Sequence, residues 1–225
     1  MSDEKSKHGA IDHAKYFLKN VPDTRNNTFD GNMKLHKLLL FANLIHMAEQ
    51  GVPLFDDPIY AFAQGCEVEG VRQRLRFDHC SFIDDCNSNP ATYSQSESHT
   101  LSLACEIFGD ASARELSDIN RDFEFWQTAY KASETQEGYR DKEKSIVTTE
   151  SMLNECDRIG RLVITSEQAK DLDDLVEVVN DIEFCYDRDK ISITDELLDR
   201  LYKFSLTAED ESYSISYFGD RLVIY

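Results

Sequence analysis

Among the six histidines and six cysteines of this sequence, two of each form the group to examine as metal ligands. His79 and Cys80 are adjacent, and Cys86 and His99 follow further along the chain. Thiolate and imidazole groups are the usual ligands of tetrahedral zinc sites, which typically contain closely spaced cysteine pairs. The spacing is poor, the sequence has no C-x-x-C, and buried or unreactive side chains explain the group more simply. We therefore predict no metal site and keep these four residues as the candidates to examine.

The sequence lacks the motifs of nucleophilic catalysis and phosphate binding. It contains no G-x-S-x-G elbow, no G-x-x-x-x-G-K-[ST] loop and no G-x-G-x-x-G turn. Adjacent acids at 56–57 and 84–85 could bind a cation or share a proton, but such pairs in polar turns are usually solvated. We predict that the protein is not an enzyme and uses no cofactor.

Charge and composition restrict the remaining classes of function. The 225 residues include 43 acids and 24 bases, a net charge of −19 at pH 7 that repels a phosphate backbone and disfavours direct nucleic-acid binding. An acidic chain suits a basic protein partner or mimicry of nucleic acid, although solubility alone also explains it. The longest apolar run, residues 38–42, is too short to cross a bilayer, and the polar N-terminus resembles no secretory signal. We expect a cytoplasmic protein with six reduced cysteines.

Apolar periodicity predicts helices through most of the chain. A short amphipathic helix spans 11–19, and a strong central helix carries apolar residues on most sides until Gly51 and Pro53 end it. We predict a further helix over 59–63, an exposed polar loop over 84–96, and solvated side chains for Lys34 and Lys37. Ser112 and Glu115 match a capping box at the start of a later helix.

The last third of the chain differs from the rest in charge density and in the pattern of its apolar residues. Residues 1–150 carry 25 acids and 16 bases, whereas residues 151–225 carry 18 acids and only 8 bases. We predict a short strand over 161–164, a helix from there to 179, a helix after Thr194, and a terminal hairpin that pairs 213–217 with 221–225. The predicted fold is mainly α: a compact helical domain at 1–157 and a small acidic α+β extension at 158–225 that ends in a β-hairpin.

Four segments of the first domain resemble the Panacea domain, the SocA-like and GepA-like antitoxin family. They occur in the family's order and spacing within residues 11–157: 33–42 (MKLHKLLLFA), 51–55 (GVPLF), 59–65 (IYAFAQG) and 116–126 (LSDINRDFEFW). The family's G-P-V-V-P is replaced here by 65–69 (GCEVE), its threonine-histidine pair by Asn120 and Arg121, and the proline before tryptophan by Phe125. The sequence is therefore interpreted as a divergent member with a C-terminal extension.

The resemblance implies a mode of action without catalysis. Members of this family neutralise toxins by direct protein binding, and some act as adaptors that hand the toxin to a protease. We expect an antitoxin-like protein whose helical domain covers a toxin with a basic surface, with the acidic extension contributing complementary charge. The alternative is an acidic inhibitor or nucleic-acid mimic from a mobile element that blocks a DNA- or RNA-binding protein.

Five residues are the candidates for partner binding. Phe55, Asp56 and Asp57 lie at a predicted turn, and Arg72 follows the altered glycine motif. Trp126 could anchor an interface, because tryptophan is enriched among the residues that dominate binding energy. Each also has a simpler interpretation, as an ordinary turn or surface residue for the first four and as a core residue for Trp126.

Overall fold

The computed structural model describes residues 8–88, 91–173, 176–186, 191–208, 210–218 and 221–224. Within them the fold is mainly α, with nine α-helices and a small β part, which confirms the predicted class. The helices are α1 (Ala10–Asn20), α2 (Phe29–Gln50), α3 (Glu69–Phe77), α4 (His79–Ser88), α5 (Gln95–Phe108), α6 (Ala113–Arg121), α7 (Glu124–Ala132), α8 (Thr149–Asp173) and α9 (Asp195–Ser205). The strands are β1 (Ile59–Phe62), β2 (Gly65–Val68), β3 (Ile146–Val147), β4 (Val176–Val179), β5 (Ile182–Cys185), β6 (Ser212–Phe218) and β7 (Arg221–Ile224).

The chain divides into two compact units, residues 1–163 and 164–225, and the division falls within α8. The domain boundary expected from the sequence, at 157/158, lies within the same helix. In the described part of the chain, no helix combines the length and apolar character that a bilayer crossing needs.

The central helix α2 organises the first unit. Thr28 caps its start by accepting a hydrogen bond from Gly31 N at 3.0 Å, and Gly51 ends it in the left-handed conformation at φ 74°. From Lys34 to Met47 its side chains are buried on every side, so the other helices pack around this part of it. Capping boxes start α5 at Ser94 and, as predicted, α6 at Ser112.

A small antiparallel sheet lies beside α2, where the sequence predicted a helix over 59–63. The strand order is β2-β1-β3, and Ile59 pairs with both Val68 and Val147. The run IYAFA is apolar at every position, which is compatible with a buried strand as well as a helix. Gly65, at φ 98°, follows the turn and starts β2, so the chain reverses as a hairpin.

Two other predictions of local structure were wrong. The expected loop over 84–96 contains the last turns of α4, with Cys86 buried, and the start of α5. The expected strand over 161–164 is part of α8, because Ile159 and Val163 continue the helical spacing of Met152 and Cys156 against the core.

The second unit is a four-stranded sheet with α9. Its strand order is β4-β5-β6-β7, antiparallel except for the parallel pair of β5 with β6. The terminal hairpin and the helix after Thr194 are as predicted, whereas 176–179 form β4 rather than the end of a helix. A separate apolar core contains Phe184, Ile191, Leu197, Leu201, Ile215 and Leu222.

Candidate functional site

An open groove of about 360 Å³ lies between the first half of α2, the β1–β2 turn and α3. We call it the Arg72 groove, and its lining includes Phe29, Met33, His36, Glu67, Arg72 and Arg76. Phe29, in the lining, is 70% exposed, and Phe77, which follows Arg76 at the end of α3, is 76% exposed. The Arg76 guanidinium lies 5.1 Å from the centre of the Phe77 ring. The groove therefore combines exposed aromatic rings with arginine.

Arg72 is held in one orientation by its neighbours. Its Nε donates to Glu69 Oε2 at 3.1 Å and lies 3.9 Å from Glu67 Oε2, while its guanidinium is 5.2 Å from the centre of the Phe62 ring. Burial raises the pKa of Glu69, but hydrogen bonds from three side chains, Arg72 among them, lower it to about 2. Glu69 is therefore ionised at neutral pH and fixes the arginine.

His36 lies in the wall of the groove and is neutral at physiological pH. Burial, together with the nearby charges of Lys37 and Arg72, lowers its pKa to about 3. Its Nδ1 accepts a hydrogen bond from Val68 N at 3.3 Å, so the proton of the neutral ring is on Nε2. The histidine ties β2 to α2 without adding charge.

A buried lysine and asparagine hold the β1–β2 turn beside the groove. Lys37 Nζ donates to the Cys66 carbonyl at 2.8 Å, and Asn120 Oδ1 accepts from Cys66 N. A Cβ at Gly65 would overlap Asn120 Oδ1 and approach Lys37 Cε to 2.8 Å. Burial lowers the pKa of Lys37 to about 8. The hairpin that lines the groove is thus fixed by polar contacts in the interior.

The prediction that Lys34 and Lys37 are solvated was wrong. Lys37 is fully buried and Lys34 is nearly so, with its Nζ 3.1 Å from Asp23 Oδ2. Both follow from the position of α2, which has neighbours on all sides and leaves no solvated face at these residues. The burial is tolerated because each ammonium group has an acceptor, the Cys66 carbonyl for Lys37 and the Asp23 carboxylate for Lys34.

Of the five residues predicted to bind a partner, only Arg72 lines the groove. Phe55 is buried in the core, and Asp57 Oδ2 accepts from Ala10 N at 2.8 Å, which caps α1. Asp56 is exposed. Trp126 is half-buried and donates from Nε1 to the Phe62 carbonyl at 2.9 Å; its ring also stacks on Tyr130.

The four candidate metal ligands predicted from sequence lie apart. His79 Nε2 is 3.1 Å from the Arg25 carbonyl, and His99 Nε2 is 3.3 Å from Glu49 Oε1. Cys80 is exposed and Cys86 is buried. In the part of the chain that the structure describes, no three of these four bring their ligand atoms together.

A different group of ligand-type side chains does converge, and we call it the His–Glu cluster: His8, His13 and Glu97. Glu97 Oε1 lies 3.0 Å from His8 Nδ1 and 3.2 Å from His13 Nε2, and all three atoms lie within 4.8 Å of one another. His13 is fully buried and Glu97 is 4% exposed. Sequence reasoning missed this cluster because Glu97 is 84 residues from His13.

The surroundings of the His–Glu cluster fix its geometry. The second oxygen of Glu97, Oε2, accepts from Ser94 N at 2.8 Å in the capping box of α5. The Tyr93 ring stacks on His13 at 6.0 Å, and its hydroxyl donates to the Asp12 carbonyl at 2.7 Å. Burial lowers the pKa of His13, so this ring is neutral at neutral pH.

Comparison with known proteins identifies no relative: no family model, no curated protein and no solved structure matches this chain.

Proposed function

We propose that this protein is a non-catalytic, antitoxin-like molecule that binds another protein at the Arg72 groove and thereby neutralises it. The observation that carries the proposal is a groove lined by Arg72, Arg76 and the largely exposed Phe29. The largely exposed Phe77 contacts Arg76 and extends this surface. Aromatic residues and arginine are enriched in protein interfaces, and arginine is one of the residues that most often dominate binding energy.

The rigidity of the groove supports binding of a folded partner. Arg72 is fixed by Glu69, and the hairpin wall is fixed by Lys37 and Asn120. Side chains that are already ordered lose little conformational entropy when a partner binds. The groove can therefore bind without the cost of ordering its own wall.

The charge of the chain favours one kind of partner. A net charge of −19 attracts a basic protein over long range and speeds its association, while the aromatic rings supply contact area once the two surfaces meet. The four sequence segments that resemble the Panacea domain support the same mode of action, in which a toxin is covered directly or is also presented to a protease.

The experiment compares three tagged versions of the full chain expressed in the native cell. We expect the wild type to retain one stoichiometric protein whose separate expression inhibits growth, and co-expression of the wild type to restore growth. The variant Arg76→Glu with Phe77→Ser should lose both effects. The control Tyr139→Ser changes an aromatic residue that is 58% exposed elsewhere and should keep both.

Two results would contradict the proposal. One is the absence of any stoichiometric partner; the other is equal binding and rescue by the groove variant and the control. Salt dependence separates the proposal from the acidic inhibitor or nucleic-acid mimic. A mimic should lose most of its affinity between low and high salt, whereas a packed interface should retain much of it.

A further inference from the structure

Two of the interatomic distances in the His–Glu cluster are close to those between ligands of one metal ion. Zinc bonds of about 2.0–2.1 Å to nitrogen and oxygen place tetrahedral ligand atoms roughly 3.3–3.4 Å apart. Glu97 Oε1 is 3.0 Å from His8 Nδ1 and 3.2 Å from His13 Nε2. The two imidazole nitrogens lie within 4.8 Å of each other. A side-chain movement that brings them closer together would place all three atoms at bonding distance from one ion.

The cluster also has the structural support that metal ligands need. Glu97 is held at the start of α5 because its Oε2 accepts from Ser94 N, which leaves Oε1 directed at the two imidazoles. Tyr93 packs against the rings of both His8 and His13. Contacts of this kind orient metal ligands and strengthen binding.

His13 presents a nitrogen that suits a metal ion. Its side chain is fully buried, and its Nδ1 has no hydrogen-bond partner among the described residues. Without an ion, Nε2 donates its proton to Glu97 Oε1. When an ion binds, the neutral ring can carry that proton on Nδ1 instead, which frees the lone pair of Nε2 for the ion. Two imidazoles and one carboxylate form a recognised ligand set for zinc.

We propose that His8, His13 and Glu97 bind one zinc ion. His8 is the partly exposed ligand, with 19% of its side chain accessible. Catalytic zinc sites with three protein ligands take water at the fourth position. The ion would join the segment before α1, α1 itself and the first turn of α5. This site is independent of the Arg72 groove.

The test measures zinc retained by the full chain after it is stripped with EDTA, loaded with zinc chloride and dialysed. We expect one equivalent in the wild type and at least about a tenfold loss of affinity in His8→Ala and in Glu97→Gln. His8→Ala removes a partly exposed side chain, and Glu97→Gln keeps an acceptor for the capping box, so both should fold, as far-UV circular dichroism can verify. The matched controls His99→Ala and Cys80→Ser should retain zinc like the wild type.

Cobalt substitution identifies the ligands directly. A site made of two imidazoles and a carboxylate should give the visible absorption of tetrahedral cobalt without a thiolate-to-cobalt charge-transfer band. Such a band, or zinc retention that is lost in the Cys80 or His99 variant, would assign the metal to other side chains. Failure of the wild type to retain zinc would also overturn the proposal. So would retention of as much zinc by His8→Ala and Glu97→Gln as by the wild type.

Discussion

Replacing Lys37 by methionine tests the burial of a positive charge beside the β1–β2 turn. Methionine keeps an unbranched apolar stem but removes the ammonium that donates to the Cys66 carbonyl. Burial lowers the pKa of Lys37 from 10.5 to about 8, so the folded protein releases this proton more readily than the unfolded chain. Where the unfolded state binds more protons, stability rises with pH. The free energy of unfolding of the wild type relative to Lys37→Met is therefore highest above pH 10.5. This extra stability is lost as the pH falls through about 8.

The magnitude follows from the two pKa values. A shift of one pKa unit corresponds to about 1.4 kcal/mol, and integration between pH 7 and pH 10 gives a gain of about 2–3 kcal/mol for the wild type relative to Lys37→Met. In the variant the Cys66 carbonyl loses its donor, which lowers the free energy of unfolding by about 1–3 kcal/mol. This cost does not depend on pH. The pH dependence of the difference thus isolates the lysine.

The assay is urea unfolding of both proteins at pH 7, 8, 9 and 10, with a reducing agent to protect the thiols. The protein has one tryptophan, Trp126, which lies in the first unit with Lys37, so its fluorescence reports the unfolding of that unit. Other titrating groups are shared by the two proteins and cancel in the difference. Parallel stability profiles from pH 7 to pH 10 would refute the burial of a charged Lys37.

Three further substitutions test other contacts. Gly65→Ala should destabilise the protein by clearly more than the roughly 1–2 kcal/mol expected for Gly138→Ala. Both glycines have positive φ, but of the two only Gly65 faces packed atoms. Urea unfolding of both variants measures the difference. Asp57→Ala should cost about 1 kcal/mol through loss of the α1 cap, whereas Asp110→Ala, at an exposed site, should change the free energy of unfolding little; equal losses would contradict the capping role. Trp126→Phe should cost about 1–3 kcal/mol by leaving a carbonyl without its donor, measured by circular dichroism, and an unchanged unfolding midpoint would contradict this.

Local signals predicted the helices whose ends are encoded nearby. The apolar character of α2 on all sides, with Gly51 at its end, identified the central helix, and Ser112 with Glu115 identified the start of α6. The terminal hairpin followed from alternation on both sides of a turn. Each of these features depends on residues only a few positions apart, so one sequence is sufficient to find them.

Features that depend on distant partners could not be read from the sequence. The run IYAF became β1 because Val68 and Val147 pair with Ile59, and Val147 is far along the chain. Lys37 is buried because the hairpin covers it, although lysine is usually exposed. Only Arg72 among the predicted binding residues lines the groove, because exposure and direction depend on packing.

The His–Glu cluster shows the same limit for a site. His8 and His13 have no spacing that marks a metal motif. Glu97 matches a helix-capping signal, which gives no indication that its other oxygen contacts two imidazoles. The cysteines and histidines that were close in sequence, such as Cys80 and Cys86, instead lie on one helix with different exposure. Proximity in sequence therefore did not bring their ligand atoms together among the described residues.

Because Cys66 is buried beside Lys37, alkylation of its thiol can be used to detect local opening of the protein. Burial raises the pKa of the Cys66 thiol to about 12, so in the closed state it is neither accessible nor nucleophilic, whereas Cys80 is exposed to alkylating reagents. Mass spectrometry after timed alkylation should therefore show Cys80 modified early and Cys66 modified only as fast as the β1–β2 hairpin separates from α2. The labelling rate at Cys66 then measures how often this wall of the groove detaches.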